Sequence, residues 1–193
     1  MSLIVAIKDN DRIVIGCDSQ ITSNGLKENC DNNSVCKIWE IKNCKQGIMG
    51  VVGHLRDGQL VQCQNNIIEE IFQLKNSVDY EYVVTNLSGK IYSILLANKR
   101  ILKDANGNDE NYMLSRFIIA YKDKAYKIEN DLCVLPIEDY LVLGCGEKIA
   151  IGVLEKNKSK SPEERIKEAI ILCSEKDLYI NNNIVIKSTK EDK

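Results

Sequence analysis

Two apolar runs, Leu3-Ile4-Val5-Ala6-Ile7 and Ile13-Val14-Ile15, stand on either side of Asp9-Asn10-Asp11 near the start of the chain. Neither alternates with polar residues. A strand with one face in water shows period-two polarity, so continuous apolar runs joined by a turn signal describe a hairpin whose strands are covered on both faces. Covering both faces takes further layers. The rest of the chain supplies them in blocks of strands, helices, strands and helices, which is the order of a layered α+β fold rather than of βαβ units.

From His54 onward, Leu55, Leu60, Val61, Ile67, Ile68, Ile71, Phe72 and Leu74 make a 3.6-residue stripe with Glu69, Glu70 and Lys75 outside it. A second helix is expected over residues 78–97, interrupted at Ser88-Gly89. Ala105-Asn106-Gly107-Asn108-Asp109 reads as a surface turn, residues 116–121 and 125–128 as a hairpin around Lys122-Asp123-Lys124, and residues 140–143 as a strand ending at Gly144. Helical spacing returns over residues 148–154. Ser161-Pro162-Glu163-Glu164 combines an N-cap serine, proline at the first helical position and a capping-box glutamate, so a helix should run from there to Ser174. Residues 178–180 and 184–186 are expected as strands around Asn181-Asn182-Asn183, with residues 187–193 a frayed tail.

A chain of 193 residues with 44% hydrophobic content can bury one sizeable core, and a single domain over residues 1–193 is expected. The amino-terminal apolar run is short and is followed by Lys8-Asp9-Asn10-Asp11, which does not suit a signal peptide. The 8 cysteines contain no C-x-x-C, and Cys30, Cys36 and Cys44 are irregularly spaced, so they read as reduced thiols of a cytoplasmic protein rather than as a zinc module. With His54 the single histidine, neither a metal site nor a Ser-His-Asp triad is expected, and no cofactor is called for. A net charge of −2 gives no electrostatic footprint for nucleic acid or an anionic membrane.

The chain opens Met1-Ser2-Leu3. Removal of Met1 would leave a hydroxyl and a free α-amine on one residue at the tip of an apolar strand. A hydroxyl is a poor nucleophile until something takes its proton, and an α-amine, with an unperturbed pKa of about 7.7 to 8.0, is matched to that task near neutral pH. If Met1 stays, the amine base is absent. Met-Ser-Leu is also the kind of start an expression vector leaves, in which case the native first residue is another.

The residues that follow give this start a context. Arg12-Ile13-Val14-Ile15-Gly16-Cys17-Asp18-Ser19-Gln20 and then Val35-Cys36-Lys37-Ile38 resemble the proteasome family, whose second strand ends in a G-x-D-x-x-x-T pattern matched by Gly16, Asp18 and Thr22. Lys37 falls where the family places a lysine. The segment from Met49 to Asp57 resembles the family's strand-to-helix turn, Gly144-Cys145-Gly146 its G-S-G turn and Asp177-Leu178-Tyr179-Ile180 its last D-x-x-x element. The resemblance implies a four-layer αββα sandwich of the N-terminal-nucleophile hydrolases, with two antiparallel sheets between helical layers. It implies Ser2 as nucleophile, Asp18, Lys37, Cys145 and Asp177 around it, and the Gly53 N–H as oxyanion donor. The implied partners are a peptide or unfolded protein substrate, further copies in a ring-like homo-oligomer, and a regulatory ATPase.

The residue types support the same chemistry. An ammonium at Lys37 would favour the serine alkoxide and a neutral amine, Asp18 would hold the lysine charged, and glycine at 53 leaves its N–H open to an oxyanion. One such donor is typically worth about 3 kcal/mol of barrier. The chain departs from the family in three ways: serine replaces threonine as nucleophile and loses the methyl that restricts its rotamer, Cys145 replaces an orienting serine, and His54 replaces a second glycine. Two rival readings follow. One is a non-catalytic ring subunit, and the other is a peptide ligase or transpeptidase using the same acyl-enzyme.

Overall fold

The structure is a computed structural model that describes residues 2–23, 26–32, 35–42, 44, 46–64, 78–103, 106 and 109–190. The first strands are β1 (Leu3–Asp9) and β2 (Arg12–Asp18), followed by the short pieces β3 (Gln20–Ser23), β4 (Leu26–Asn29), β5 (Asp31–Asn32) and β6 (Val35–Cys36), then β7 (Ile38–Glu40) and β8 (Gly47–Val52). Helix α1 covers Leu55–Cys63. Helix α2 consists of Tyr80–Tyr82, a π-helical turn Val83–Leu87 and Ser88–Ala97. Then come β9 (Ile101–Lys103), β10 (Asp109–Met113), β11 (Arg116–Tyr121), β12 (Lys124–Ile128), β13 (Val134–Pro136) and β14 (Tyr140–Gly144), helices α3 (Glu147–Lys156) and α4 (Pro162–Lys176), and β15 (Ile184–Ser188).

The opening hairpin forms as its composition requires. β1 and β2 pair antiparallel with Ile7 opposite Val14 and Lys8 opposite Ile13, and Asn10 turns the chain at φ 51°. Asparagine tolerates that left-handed conformation better than most side chains. The hairpin is the centre of a four-stranded sheet in the order β14-β1-β2-β15, and a five-stranded sheet in the order β13-β12-β11-β8-β7 lies against it.

Why neither run alternates is visible in the packing. Ile4 and Ala6 of β1, with Ile13, Ile15 and Cys17 of β2, face Ile38, Ile48, Ile118 and Ala120 of the other sheet. Leu3, Val5, Ile7 and Val14 face outward onto Ala150 and Leu154 of α3 and Ile166, Ala169 and Ile170 of α4. The outer face of the second sheet, with Met49, Val51, Phe117 and Ile119, packs on Val61 of α1 and on Val83, Leu87, Ile91 and Leu95 of α2. Three apolar layers therefore separate four structural ones, the αββα sandwich expected from the resemblance. Gly16 admits α4, because a Cβ there would lie 2.3 Å from the Ile166 side chain.

The helix over 162–176 starts with the full capping box, Ser161 accepting from Glu164 N–H while Glu164 reaches back to Ser161 N–H. The hairpin of β11 and β12 and the strand ending at Gly144 form where expected. Four expectations change. Residues 178–180 are not a strand: Asp177 accepts the Tyr179 N–H on its side chain and the Ile180 N–H on its carbonyl, making a turn that leaves Leu178 77% exposed. Residues 187–189 are not frayed, since β15 runs to Ser188 and Thr189 is buried, its hydroxyl accepting from Ile13 N–H while its N–H donates to the Ile13 carbonyl. Ser88-Gly89 does not interrupt α2, whose irregularity is the π turn just before it, where Ser88 Oγ donates to the Val84 carbonyl. The small pieces β3 to β6 and the β9–β10 hairpin were not expected. The stripe positions from Ile67 to Leu74 and most of the 105–109 turn lie outside the described residues.

Candidate active site

Ser2 stands at the entrance to β1 and is buried. Two neighbours fix the backbone around it. The Leu3 N–H donates to Oδ1 of Asp18 at 2.8 Å, and the Ser2 carbonyl accepts the Cys145 N–H at 3.2 Å. Gly144 makes that second contact feasible: its φ is +127°, and a Cβ there would lie 1.8 Å from the Ser2 carbonyl oxygen.

Asp18 is the last residue of β2. The short hairpins that follow carry the chain out and return it at Lys37, between β6 and β7, so residues 19 positions apart meet. Lys37 Nζ donates to Oδ2 of Asp18 at 2.8 Å, and the same oxygen accepts the Gln20 N–H at 3.1 Å. A buried ion pair is tolerated when its remaining lone pairs are satisfied, and Asp18 meets that condition with two backbone N–H groups and one ammonium.

Gly53 sits where β8 ends and α1 begins, with φ at +128°. It opens on two clefts. One, of about 140 Å³, is lined by Ser2, Gln20, Ile21, Thr22, Lys37, Val51, Gly53, His54 and Leu55. The other, of about 330 Å³, is lined by Ser2, Val52, Gly53, Leu114, Arg116, Asn130, Gly144 and Cys145. Ser2 and Gly53 are common to both.

Cys145 also directs its thiol at the Ser2 carbonyl, 3.7 Å away. Partial withdrawal of the sulfur from water, and the Asp177 carboxylate close by, push the Cys145 thiol up to about 11. Asp177, the C-cap of α4, thus lies beside Cys145, whose backbone and thiol face the Ser2 carbonyl. Of the six residues singled out by the sequence, Ser2, Lys37 and Gly53 line one cleft and Ser2, Gly53 and Cys145 the other, while Asp18 pairs with Lys37 and Asp177 lies beside Cys145. Among the described residues no group of three or more His, Cys, Asp or Glu could hold a metal ion, and no helix is long and apolar enough to cross a membrane.

Sequence reasoning did not single out Gln20, Asp57, Arg100 or Ser115. Asp57 is fully buried and accepts from Arg100 Nε at 2.6 Å and from Ser115 Oγ at 2.7 Å, and Ser115 in turn accepts the His54 N–H at 2.9 Å. Asp57 lay in a segment already marked as a strand-to-helix turn. An acidic residue in a first helical turn is ordinarily exposed, and nothing local to the sequence distinguishes one that is not.

The family model described as Proteasome subunit matches residues 2–188 of the chain. No curated protein matches it by sequence. Among solved structures it is similar to the BPH of Thiobacillus denitrificans, with a TM-score of 0.70 at 14% identity and 96% of each chain covered. A structure of that BPH in complex with epoxomicin superposes with a TM-score of 0.68 at 13% identity, covering 96% of this chain and 97% of the other. A eukaryotic HslV from Trypanosoma brucei gives 0.61 at 14% identity, with 96% and 98% covered. These identities speak for the fold, and the family model speaks for descent: the chain belongs to the proteasome subunit family and has its N-terminal-nucleophile hydrolase fold.

Proposed function

We propose that the chain is a single-domain peptidase in which Ser2, made the first residue by loss of Met1, attacks the carbonyl of a peptide bond. The observation that carries this reading is that Ser2, Lys37 and Gly53 line one cleft, with the Asp18 carboxylate buried against the Lys37 ammonium. The positive charge on Lys37 lowers the cost of deprotonating the hydroxyl and keeps the adjacent α-amine neutral, so that the amine takes the proton through a water. The Gly53 N–H stabilises the oxyanion, and the amide collapses to an acyl ester on Ser2 as the amine leaving group departs with the proton. Water activated by the same α-amine then hydrolyses the ester. Cys145 and Asp177 hold the Ser2 backbone in place during both steps.

The substrate is a peptide or an unfolded segment of a protein, and the working form is a ring-like homo-oligomer fed by a regulatory ATPase, as membership of the family supports. Eight free cysteines agree with a reducing, cytoplasmic setting.

Intact mass of the protein from its native host, followed by treatment with a peptide epoxyketone that captures an N-terminal hydroxyl and amine together, tests the reading. The expected result is loss of the Met1 mass and one adduct per chain, absent in Ser2→Ala. That variant should fold normally, because only the hydroxyl is removed while the Ser2 carbonyl and its partners remain. Retained Met1 with no adduct would leave the ring-subunit reading in its place, and equal labelling of Ser2→Ala would remove the assignment of the nucleophile.

A further inference from the structure

Two carboxylates among the described residues are completely buried, and the proposed chemistry uses only Asp18. The other is Asp57. Its two oxygens have separate partners: Oδ1 accepts the Arg100 Nε–H and Oδ2 accepts the Ser115 hydroxyl proton. Because that proton is committed to Asp57, the Ser115 oxygen turns a lone pair outward, and it accepts the His54 N–H. The chain of bonds therefore has one direction, from the carboxylate to the backbone of the turn, and the ionised acceptor strengthens its first link.

The turn needs such support. Gly53 has φ at +128°, and glycine of itself restrains neither this angle nor the orientation of its N–H. Ser115 supplies the restraint by contact as well as by hydrogen bonding, since a Cβ on Gly53 would lie 2.7 Å from Ser115 Oγ and 3.0 Å from its Cα. From the other side the Asp57 N–H donates to the His54 carbonyl at 3.0 Å. The peptide after Gly53 is thus held at its N–H and the next at its carbonyl.

We propose that Asp57 and Ser115 are positioning residues that hold the Gly53 N–H in the direction required by the oxyanion. A corollary is that the His54 N–H, spent on Ser115, is not a second donor, so this turn offers the oxyanion Gly53 alone. The inference rests on the proposed peptidase function, because it assigns the clamp a purpose within that reaction.

The test is Ser115→Ala in the full-length chain, with Asp57→Asn as a second variant that keeps the shape of the side chain. Misplacement of a reacting group by about 1 Å costs roughly 100-fold in rate, so kcat per titrated Ser2 should fall by about 10- to 100-fold in Ser115→Ala while KM stays within about threefold. Amide hydrogen exchange, read without substrate, should show the His54 N–H exchanging at least about tenfold faster in the variant. A kcat within about threefold of wild type, or a loss carried by KM alone, overturns the proposal. So does unchanged protection of the His54 amide. A wild-type chain that neither turns over peptide nor takes the epoxyketone overturns the peptidase reading instead, and the exchange measurement still reports whether Ser115 holds the turn.

Discussion

The Lys37 ammonium nitrogen lies 2.8 Å from Oδ2 of Asp18, with the two side chains 3% and 0% exposed. From the sequence, replacing Lys37 should cost activity far more than stability. The burial changes that expectation, because removing one member of a buried pair leaves the other charge without compensation, at about 3–5 kcal/mol. Lys37→Ala should fall at the lower end, since Asp18 keeps the Leu3 and Gln20 N–H groups. Peptide turnover per folded molecule should drop by about 100-fold or more, in the range of a lost acid-base group. Urea unfolding and epoxyketone labelling of the folded fraction separate the two effects, and near-normal turnover would end the role given to Lys37.

Gly144→Ala should be among the most disruptive single-methyl changes in the chain. The added Cβ would sit 1.8 Å from the Ser2 carbonyl oxygen and 3.0 Å from the Leu3 Cα, and both are backbone atoms that no rotamer change can move. Backbone strain at a positive φ adds about 1–3 kcal/mol to that overlap. The variant should lose labelling of Ser2 together with several degrees of melting temperature. Retention of both would mean that the start of β1 is not held as described.

Much of this architecture was legible before the structure. Continuous apolar runs announced a hairpin covered on both faces, and the Ser161 capping box placed the start of α4 because its signal is local. The elements that were missed depend on distant partners. Leu178, Tyr179 and Ile180 have strand composition, but the Asp177 side chain offers Tyr179 N–H an Asx turn, and among the described residues no strand pairs with the segment. Thr189 looked like part of a polar tail, yet it is held by Ile13, 176 positions away. At the site, six residues could be named through their fixed order along the chain. The Asp57, Ser115 and Arg100 group could not, because its members lie up to 58 positions apart and acquire meaning only by burial.

Thiol chemistry should distinguish the cysteines by access and by proton affinity. Cys63, Cys133 and Cys145 are exposed. Only the thiolate reacts, and Cys145 is pushed up to about 11, so it should be alkylated more slowly than the other two at pH 8. Cys36 is drawn down to about 6, chiefly by a hydrogen bond from Cys17, but it is buried and should react only when the chain opens. The native protein should therefore show two fast thiols and one slow one, and denaturation without reductant should release all eight. Fewer than eight would mean disulfides and would remove the basis for a reducing compartment.

Alkaline pH should loosen the fold through three buried thiols, Cys17, Cys30 and Cys173, all raised above their ordinary values. Burial pushes Cys30 and Cys173 from 9.0 up to about 11. A raised folded-state value means that the native chain keeps a proton the unfolded chain has released, so the contribution is complete below pH 9 and is lost as pH rises through 11. Between those limits the slope is up to about 1.4 kcal/mol per pH unit for each thiol. Cys173 is the better probe. It lies under the Gly144-Cys145-Gly146 turn, its sulfur 3.4 Å from the Gly146 carbonyl, where a charge cannot be hydrated. Urea midpoints at pH 8.5 and 10.5 should fall further apart in the wild type than in Cys173→Ala, although the variant starts lower because of the cavity it creates. Equal spacing of the midpoints in the two proteins would show that the Cys173 thiol is not what makes the fold sensitive to base.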